Sequence, residues 1–404
     1  MKPINVGIIG TGFSASSHIE ALRRLPFVNI VAIASSSQEK AEEAARRFGI
    51  PKAYGDYRAL IDDPDVEAVH NCTRNVSHFP INKAVLEAGK HLLSEKPLAM
   101  DSEQSAELKR LAEQSESLSA VCFNYRHYPL VVEAKERLAR EAKRVHFVYG
   151  GYVQDWLLYD TDYNWRLEPA QNGPSRAIAD IGSHWCDTVQ YVLGKKIVEV
   201  FADLRTVHPV RYKPKQEGST FTSGHNQDAE PVQIDTEDGG SVLVHFDDGT
   251  HGAFTISQVS AGRKNRLYFE IAADEMTLAW DQEHPNRLWV GRRNGPNEEI
   301  VRDPALLSPQ AAAYAHYPGG HEEGWPDGLK KLCYREFLQR HHPETTRRGA
   351  RGTAVCDDRR RPPYNEDRRR HFGKPSHQTV GAGGGISGVS TAETSASFRW
   401  LGAR

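Results

Sequence analysis

Ile4-Asn5-Val6-Gly7-Ile8-Ile9-Gly10-Thr11-Gly12-Phe13-Ser14-Ala15 decides the fold. Its first six residues are mostly apolar and of strand length, and the next six have the form G-x-G-x-x-A. In such a motif Gly10 permits a tight turn, Gly12 lets the backbone approach a pyrophosphate, and Ala15 keeps the next helix close to the strand. The free amides at that helix's start then face the anion. The motif alone is weak, because small residues also fill plain turns, so the flanking pattern has to carry it. Downstream, apolar strand-like runs at 30–34, 66–71, 91–94 and 119–123 alternate with helical patterns at 38–48, 79–88 and 103–116. That alternation predicts a doubly wound parallel sheet over residues 1–123, an α/β dinucleotide-binding domain.

The second strand ends in Ser35-Ser36-Ser37, where an acidic residue would hold the adenosine ribose. Without a carboxylate to repel a 2′-phosphate, NADP is admitted beside NAD and slightly favoured. A competing reading makes Ser36 and Glu39 a capping box for the helix at 38–48.

Beyond residue 123 the period changes. Strands are expected at 145–154, 197–207, 240–246, 252–259, 266–272 and 276–281, with a helix at 178–192 and an Asp-Gly turn in FDDGTHG (246–252). This predicts an α+β domain over 124–340, one large open sheet with helices on one face. A further helix is expected at 325–339. From 341 the chain turns arginine-rich, then glycine- and serine-rich, as in RRGARGTAVCDDRRRPPYNEDRRR. Residues 341–404 therefore read as an irregular tail, too poor in apolar side chains to offset its ordering entropy. A frame shift near 340–345 is the favoured explanation, ahead of a basic extension that binds an acidic partner.

A net charge of −2 gives no global field to recruit nucleic acid or an anionic membrane, so neither partner is expected. No apolar run is long enough to span a bilayer. Five scattered cysteines without a C-x-x-C pair, and no signal-peptide pattern at the start, suggest a reducing cytoplasm.

Two more segments complete a pattern. Thr73-Arg74-Asn75-Val76-Ser77-His78 precedes Glu95-Lys96-Pro97, and later comes Asp180-Ile181-Gly182-Ser183-His184-Trp185-Cys186-Asp187. A glycine loop, then E-K-P, then D-x-G-x-H-x-x-D over roughly residues 3–340 resembles the Gfo/Idh/MocA oxidoreductases. The resemblance implies an NAD(P)-dependent dehydrogenase of a cyclic sugar or polyol, working as a homo-oligomer (dimer or tetramer) through the second-domain sheet. It implies that Gly10, Gly12, Phe13 and Ser14 bracket the pyrophosphate, with Ser35 and Ser36 at the adenosine ribose. Asn75 and His78 would lie along the cofactor, and Glu95 and Lys96 beside the nicotinamide ribose. Lys96, Asp180 and His184 would carry the chemistry, and Asn124, Tyr125, Arg126, Trp165 and Arg166 would line the substrate pocket. GYVQDWLLYDTDYNWR (151–166) is most similar to the branch acting on pyranoses and anhydrosugars. Arg74 departs from the family, which usually has proline there.

The chemistry also stands on the residues. Oxidising a secondary alcohol needs a hydride acceptor and a base for the hydroxyl proton. Asp180 and His184 are four apart, so on a helix they share a face, and the carboxylate could orient the imidazole. Without the motif context, such a pair is usually structural and Lys96 an ordinary solvated lysine. His184 and Cys186, two apart on one helix, point in different directions, so no metal is expected. The alternative reading is a catalytically silent dinucleotide-binding regulator on the same fold; the intact Lys96, Asp180 and His184 favour an enzyme.

Overall fold

The computed structural model describes residues 3–215, 229–322 and 326–330. Of the helix expected at 325–339, residues 326–330 are described, as helix; the tail expected at 341–404 and the frame shift near 340–345 lie outside the described residues.

The first half alternates as expected. It runs β1 (Ile4–Ile9), α1 (Phe13–Leu22), β2 (Val28–Ala34), α2 (Gln38–Phe48), β3 (Lys52–Tyr54), α3 (Tyr57–Asp62), β4 (Ala68–Asn71), α4 (Asn75–Glu87), β5 (His91–Ser94), α5 (Ser102–Gln114) and β6 (Ser119–Val121). The strands pair in parallel in the order β3-β2-β1-β4-β5-β6. Strand order reverses between β1 and β4, and a ligand crevice opens at the carboxyl ends of strands at such a point. Gly10 sits there at φ 110, and a Cβ on it would stand 2.5 Å from the Cys72 carbonyl oxygen. Only glycine fits that turn without strain.

α2 begins differently from the capping-box expectation. Its N-cap is Ser37, whose hydroxyl accepts from Lys40 N at 3.3 Å. Ser36 is exposed one residue earlier, so its side chain is not the cap.

The second half opens with α6 (Pro129–Glu141), β7 (Val145–Val153), α7 (Pro169–Asn172) and α8 (Ser183–Leu193). Then come β8 (Ile197–Arg205), β9 (Val210–Pro214), β10 (Ala229–Gln233), β11 (Gly239–Phe246), β12 (His251–Ser257), β13 (Arg266–Ala273), β14 (Thr277–Asp281), β15 (Arg287–Gly291) and β16 (Glu298–Val301). Eight of these strands form one open sheet, β16-β15-β14-β13-β7-β12-β11-β8, with β9 and β10 as a separate ribbon. Within it β7 and β12 run parallel and the other neighbours antiparallel. α6 and α8 cover one face, where Leu130, Val131, Trp185, Val189, Phe269 and Trp280 share a buried core. Trp185 lies against β7 because Gly150 has no side chain there: a Cβ would stand 2.7 Å from the indole nitrogen. That nitrogen instead donates to Tyr268 O at 3.1 Å.

The helix expected at 178–192 is not uniform. Ile178–Gly182 winds as one π turn before α8 continues as an ordinary α-helix. Such single wide turns often mark functional sites, and this one contains Asp180.

Candidate active site

The glycine loop, the end of β2 and the segment 163–166 surround a cavity of about 1200 Å³. Gly10, Gly12, Phe13, Ser14, Ser35 and Ser36 line it, as do Trp165 and Arg166. A Cβ on Gly12 would meet nothing within 4 Å, so the backbone is bare toward open space, as a pyrophosphate requires. Lys40, Arg47, Arg74, Arg166 and Lys213 bring five cationic side chains to the lining, and no aspartate or glutamate is among the described residues there. The cavity's residues thus fit a dinucleotide bearing two or three phosphates. Sequence motifs miss Arg47 and Lys213, because α2 and β9 bring them to the lining from outside the glycine motif with no local signature.

Lys96 follows β5 of the first domain, and Asp180 lies in the π turn of the second. The Lys96 ammonium donates to Asp180 Oδ1 at 2.8 Å and to Asp180 O at 2.9 Å. Arg166 Nε stands 3.5 Å from the same Oδ1, and Gln258 Nε2 donates to Oδ2 at 3.1 Å. Burial works against the Asp180 carboxylate, but Lys96 and Arg166 outweigh it and hold its pKa well below the usual range.

His184 is placed close by, but not as the helix-face argument expects. The Asp180 carboxylate hydrogen-bonds to Lys96 and Gln258 rather than orienting the imidazole. Buried His184 Nδ1 has no hydrogen-bond partner. Its ring sits edge-on to Phe123 (5.6 Å) and Tyr125 (4.9 Å), with Tyr152 at 6.0 Å. Burial, then the Lys96 charge, push its pKa down to about 3, so the imidazole is neutral. Tyr125 and Tyr152 hydroxyls bond each other at 2.7 Å, and both reach Asn265.

Other expected residues are committed elsewhere. The Asn75 amide bonds Asn172 Oδ1 at 2.8 Å, and His78 lies between the carbonyls of Pro97 and Thr73. Neither lines the cavity. Arg126 pairs with Asp187 of α8 and lies over Tyr191, whereas Asn124 is exposed. Glu95 Oε1 meets His18 Nε2 at 3.1 Å, and Oε2 accepts from Lys96 N. Trp165 carries Arg166 on its ring at 4.5 Å and Arg74 at 5.7 Å. The residues brought closest together are therefore Lys96, Asp180, Arg166 and Gln258, with His184 in an aromatic cage beside them. His18, Glu95 and Cys122 also gather one potential metal-ligand atom each within 4.8 Å, but hydrogen-bond contacts already join them.

Residues 4–123 match the NAD-binding Rossmann domain of an oxidoreductase family, and residues 132–279 match that family's C-terminal domain. This chain belongs to the Gfo/Idh/MocA oxidoreductases. Levoglucosan dehydrogenase from Pseudarthrobacter phenanthrenivorans is 33% identical over 302 residues, covering 72% of this chain and 76% of its own. The inositol 2-dehydrogenase/D-chiro-inositol 3-dehydrogenase of Lactiplantibacillus plantarum is 27% identical over 245 residues, 59% of this chain and 63% of that one. A solved levoglucosan dehydrogenase complex with NADH and L-sorbose superposes with a TM-score of 0.73 at 29% identity, over 81% of this chain and 86% of that chain. The family and the fold thus agree: an NAD-binding Rossmann domain followed by an α+β domain with one large sheet. Among the described residues, no helix is long and apolar enough to cross a membrane.

Proposed function

We propose that this Gfo/Idh/MocA protein oxidises a secondary alcohol of a cyclic sugar or polyol, reversibly, with Lys96, Asp180 and His184 as its reacting site. The observation that carries the reading is the Lys96–Asp180 pair, 2.8 Å long and only 14% and 12% exposed, joining the two domains next to the dinucleotide cavity. The bound nicotinamide supplies the hydride acceptor. As the alcohol is oxidised, neutral His184 takes the hydroxyl proton, Lys96 donates an N–H to the substrate oxygen, and Asp180 keeps the ammonium aimed. An unpartnered buried nitrogen is costly, and a sugar hydroxyl at His184 Nδ1 would satisfy it. Phe123, Tyr125 and Tyr152 pack around the imidazole ring. Trp165 and Arg166 close the pocket from the cavity side. The sugar-dehydrogenase relatives support the substrate class.

For the cofactor, NAD binding follows from the family, and NADP use is the finer reading. It rests on Ser35 and Ser36 in place of a carboxylate, with Lys40 and Arg47 in the same lining. The proposed division is residues 1–123 for the dinucleotide and 124–340 for substrate and self-association.

The test substitutes Lys96→Ala and His184→Ala and measures turnover beside cofactor binding. General acid–base groups typically contribute about 10²–10⁴-fold, so kcat falls by that order while cofactor affinity stays near wild type. Undiminished turnover in both variants overturns the assignment.

A further inference from the structure

The two carboxylate oxygens of Asp180 have different partners, and Lys96 and Arg166 both meet Oδ1. Oδ2 accepts from Gln258, which follows β12 and is fully buried. The orientation of that amide is fixed by its other end. Gln258 Oε1 accepts from Arg176 Nη1 at 3.0 Å, and a guanidinium has only donors, so the amide must present its N–H to Asp180. Arg176, also fully buried, is held by Asp238 Oδ1. The same oxygen accepts from buried Arg211 Nη2 at 2.7 Å. Arg211 also donates to the carbonyls of Leu157, Tyr159 and Asp162, in the segment leading to Trp165 and Arg166. Glu237 Oε1 accepts from the backbone amides of Arg176 and Ile178 at 2.9 Å each, holding the chain just before the π turn. Two buried cations thus share one carboxylate, Asp238, and every guanidinium nitrogen except Arg211 Nε finds an acceptor, close to the condition under which buried charge is tolerated.

We propose that Gln258 is a positioning residue for catalysis: it occupies Asp180 Oδ2 so that Oδ1 stays on Lys96, and the Arg176–Asp238–Arg211 chain locks Gln258 and the 157–166 segment as one unit. The proposal rests on the reading of Lys96 and Asp180 above.

Two variants test it. Q258L removes the donor and leaves Asp180 Oδ2 bare. A hydrogen bond to a charged group is worth enough for kcat to fall about tenfold or more, with the cofactor KM unchanged. Q258E is nearly isosteric and keeps an acceptor for Arg176, but sets a second carboxylate against Asp180. Paired carboxylates titrate with a raised pKa, so kcat/KM relative to wild type falls as pH rises through about 6 to 9. A side chain that only filled space would give a ratio independent of pH. Wild-type kcat in Q258L, or a pH-independent ratio in Q258E, overturns the proposal. If the wild type oxidises no sugar at all, the functional reading has failed rather than this one. Acylation of Lys96 by acetic anhydride then decides: slower in Q258E supports the positioning role, and an unchanged rate refutes it.

Discussion

His184 and Lys96 show how one charge acts at the residue scale. A neutral, caged imidazole adds no further positive charge beside Lys96 and Arg166, and the same burial has a cost in acid. His184 is pushed down to about 3 by burial and by Lys96, and His70 to about 4 by burial and by His18. Both folded values lie below the ordinary histidine value of 6.5, so the unfolded chain binds protons first. Stability from these groups is fully present above about pH 6.5 and is lost as pH falls toward the folded values. Melting temperature measured from neutral to mildly acidic pH should therefore drop, and H70Q should drop less steeply. Parallel curves would show that His70 does not contribute to the acid loss. At this scale the sequence revealed residue types better than pairings. Lys96, Asp180 and His184 stand out from their motifs, but the Asp180–Lys96 pairing joins residues 84 apart in the chain, which no local pattern announces. Gln258 and Arg176 carry no motif at all; only the fold brings them to Asp180, across 78 residues for Gln258.

Among the elements, the glycine loop divides its work between two positions that the structure distinguishes. Gly10 needs a positive φ and touches the Cys72 carbonyl, whereas Gly12 has extended backbone and open space before it. Gly10→Ala should lower the melting temperature, because the strained turn and the clash are paid in the folded state. Gly12→Ala should leave melting unchanged and weaken NAD(H) or NADP(H) binding at least about tenfold, about 1.4 kcal/mol, by filling the pyrophosphate's approach. Calorimetric melting and cofactor titration check both; equal effects from the two substitutions would contradict the distinction. The elements of the parallel sheet were legible because fully buried strands are continuous apolar runs. β3 escapes because three half-buried residues hold too little pattern. The signal for α6 is present, with Pro129 at its first turn and apolar residues at 130, 131, 134 and 138, although it follows an aromatic stretch that resembles a strand. β15 and β16 complete one edge of the sheet and their alternation is short.

For the whole molecule, the large sheet leaves a question of covering. The helices shield one face. Across the other, the strand register sets Phe201, Leu243, Ala253, Tyr149, Glu270, Ala279 and Trp289 in one row. Phe201 is 70% exposed and Leu243 56%. Antiparallel sheets with a solvated face usually turn polar residues outward, and an apolar row of this kind marks an interaction surface. Self-association through this face is therefore expected, and the double substitution Phe201→Glu, Leu243→Glu should yield a monomer by light scattering. An unchanged mass would place the interface elsewhere. The central claim is hydride transfer with a cyclic sugar or polyol, and one measurement meets it most directly. The full chain is incubated with NAD⁺ or NADP⁺ and a panel including levoglucosan, D-glucose, D-xylose and myo-inositol, while reduced nicotinamide is followed by absorbance. Reduction is expected with at least one of these compounds and is abolished in Lys96→Ala. Tight cofactor binding without reduction across the panel, in either direction of the reaction, would contradict it and leave a dinucleotide-binding protein without this catalysis.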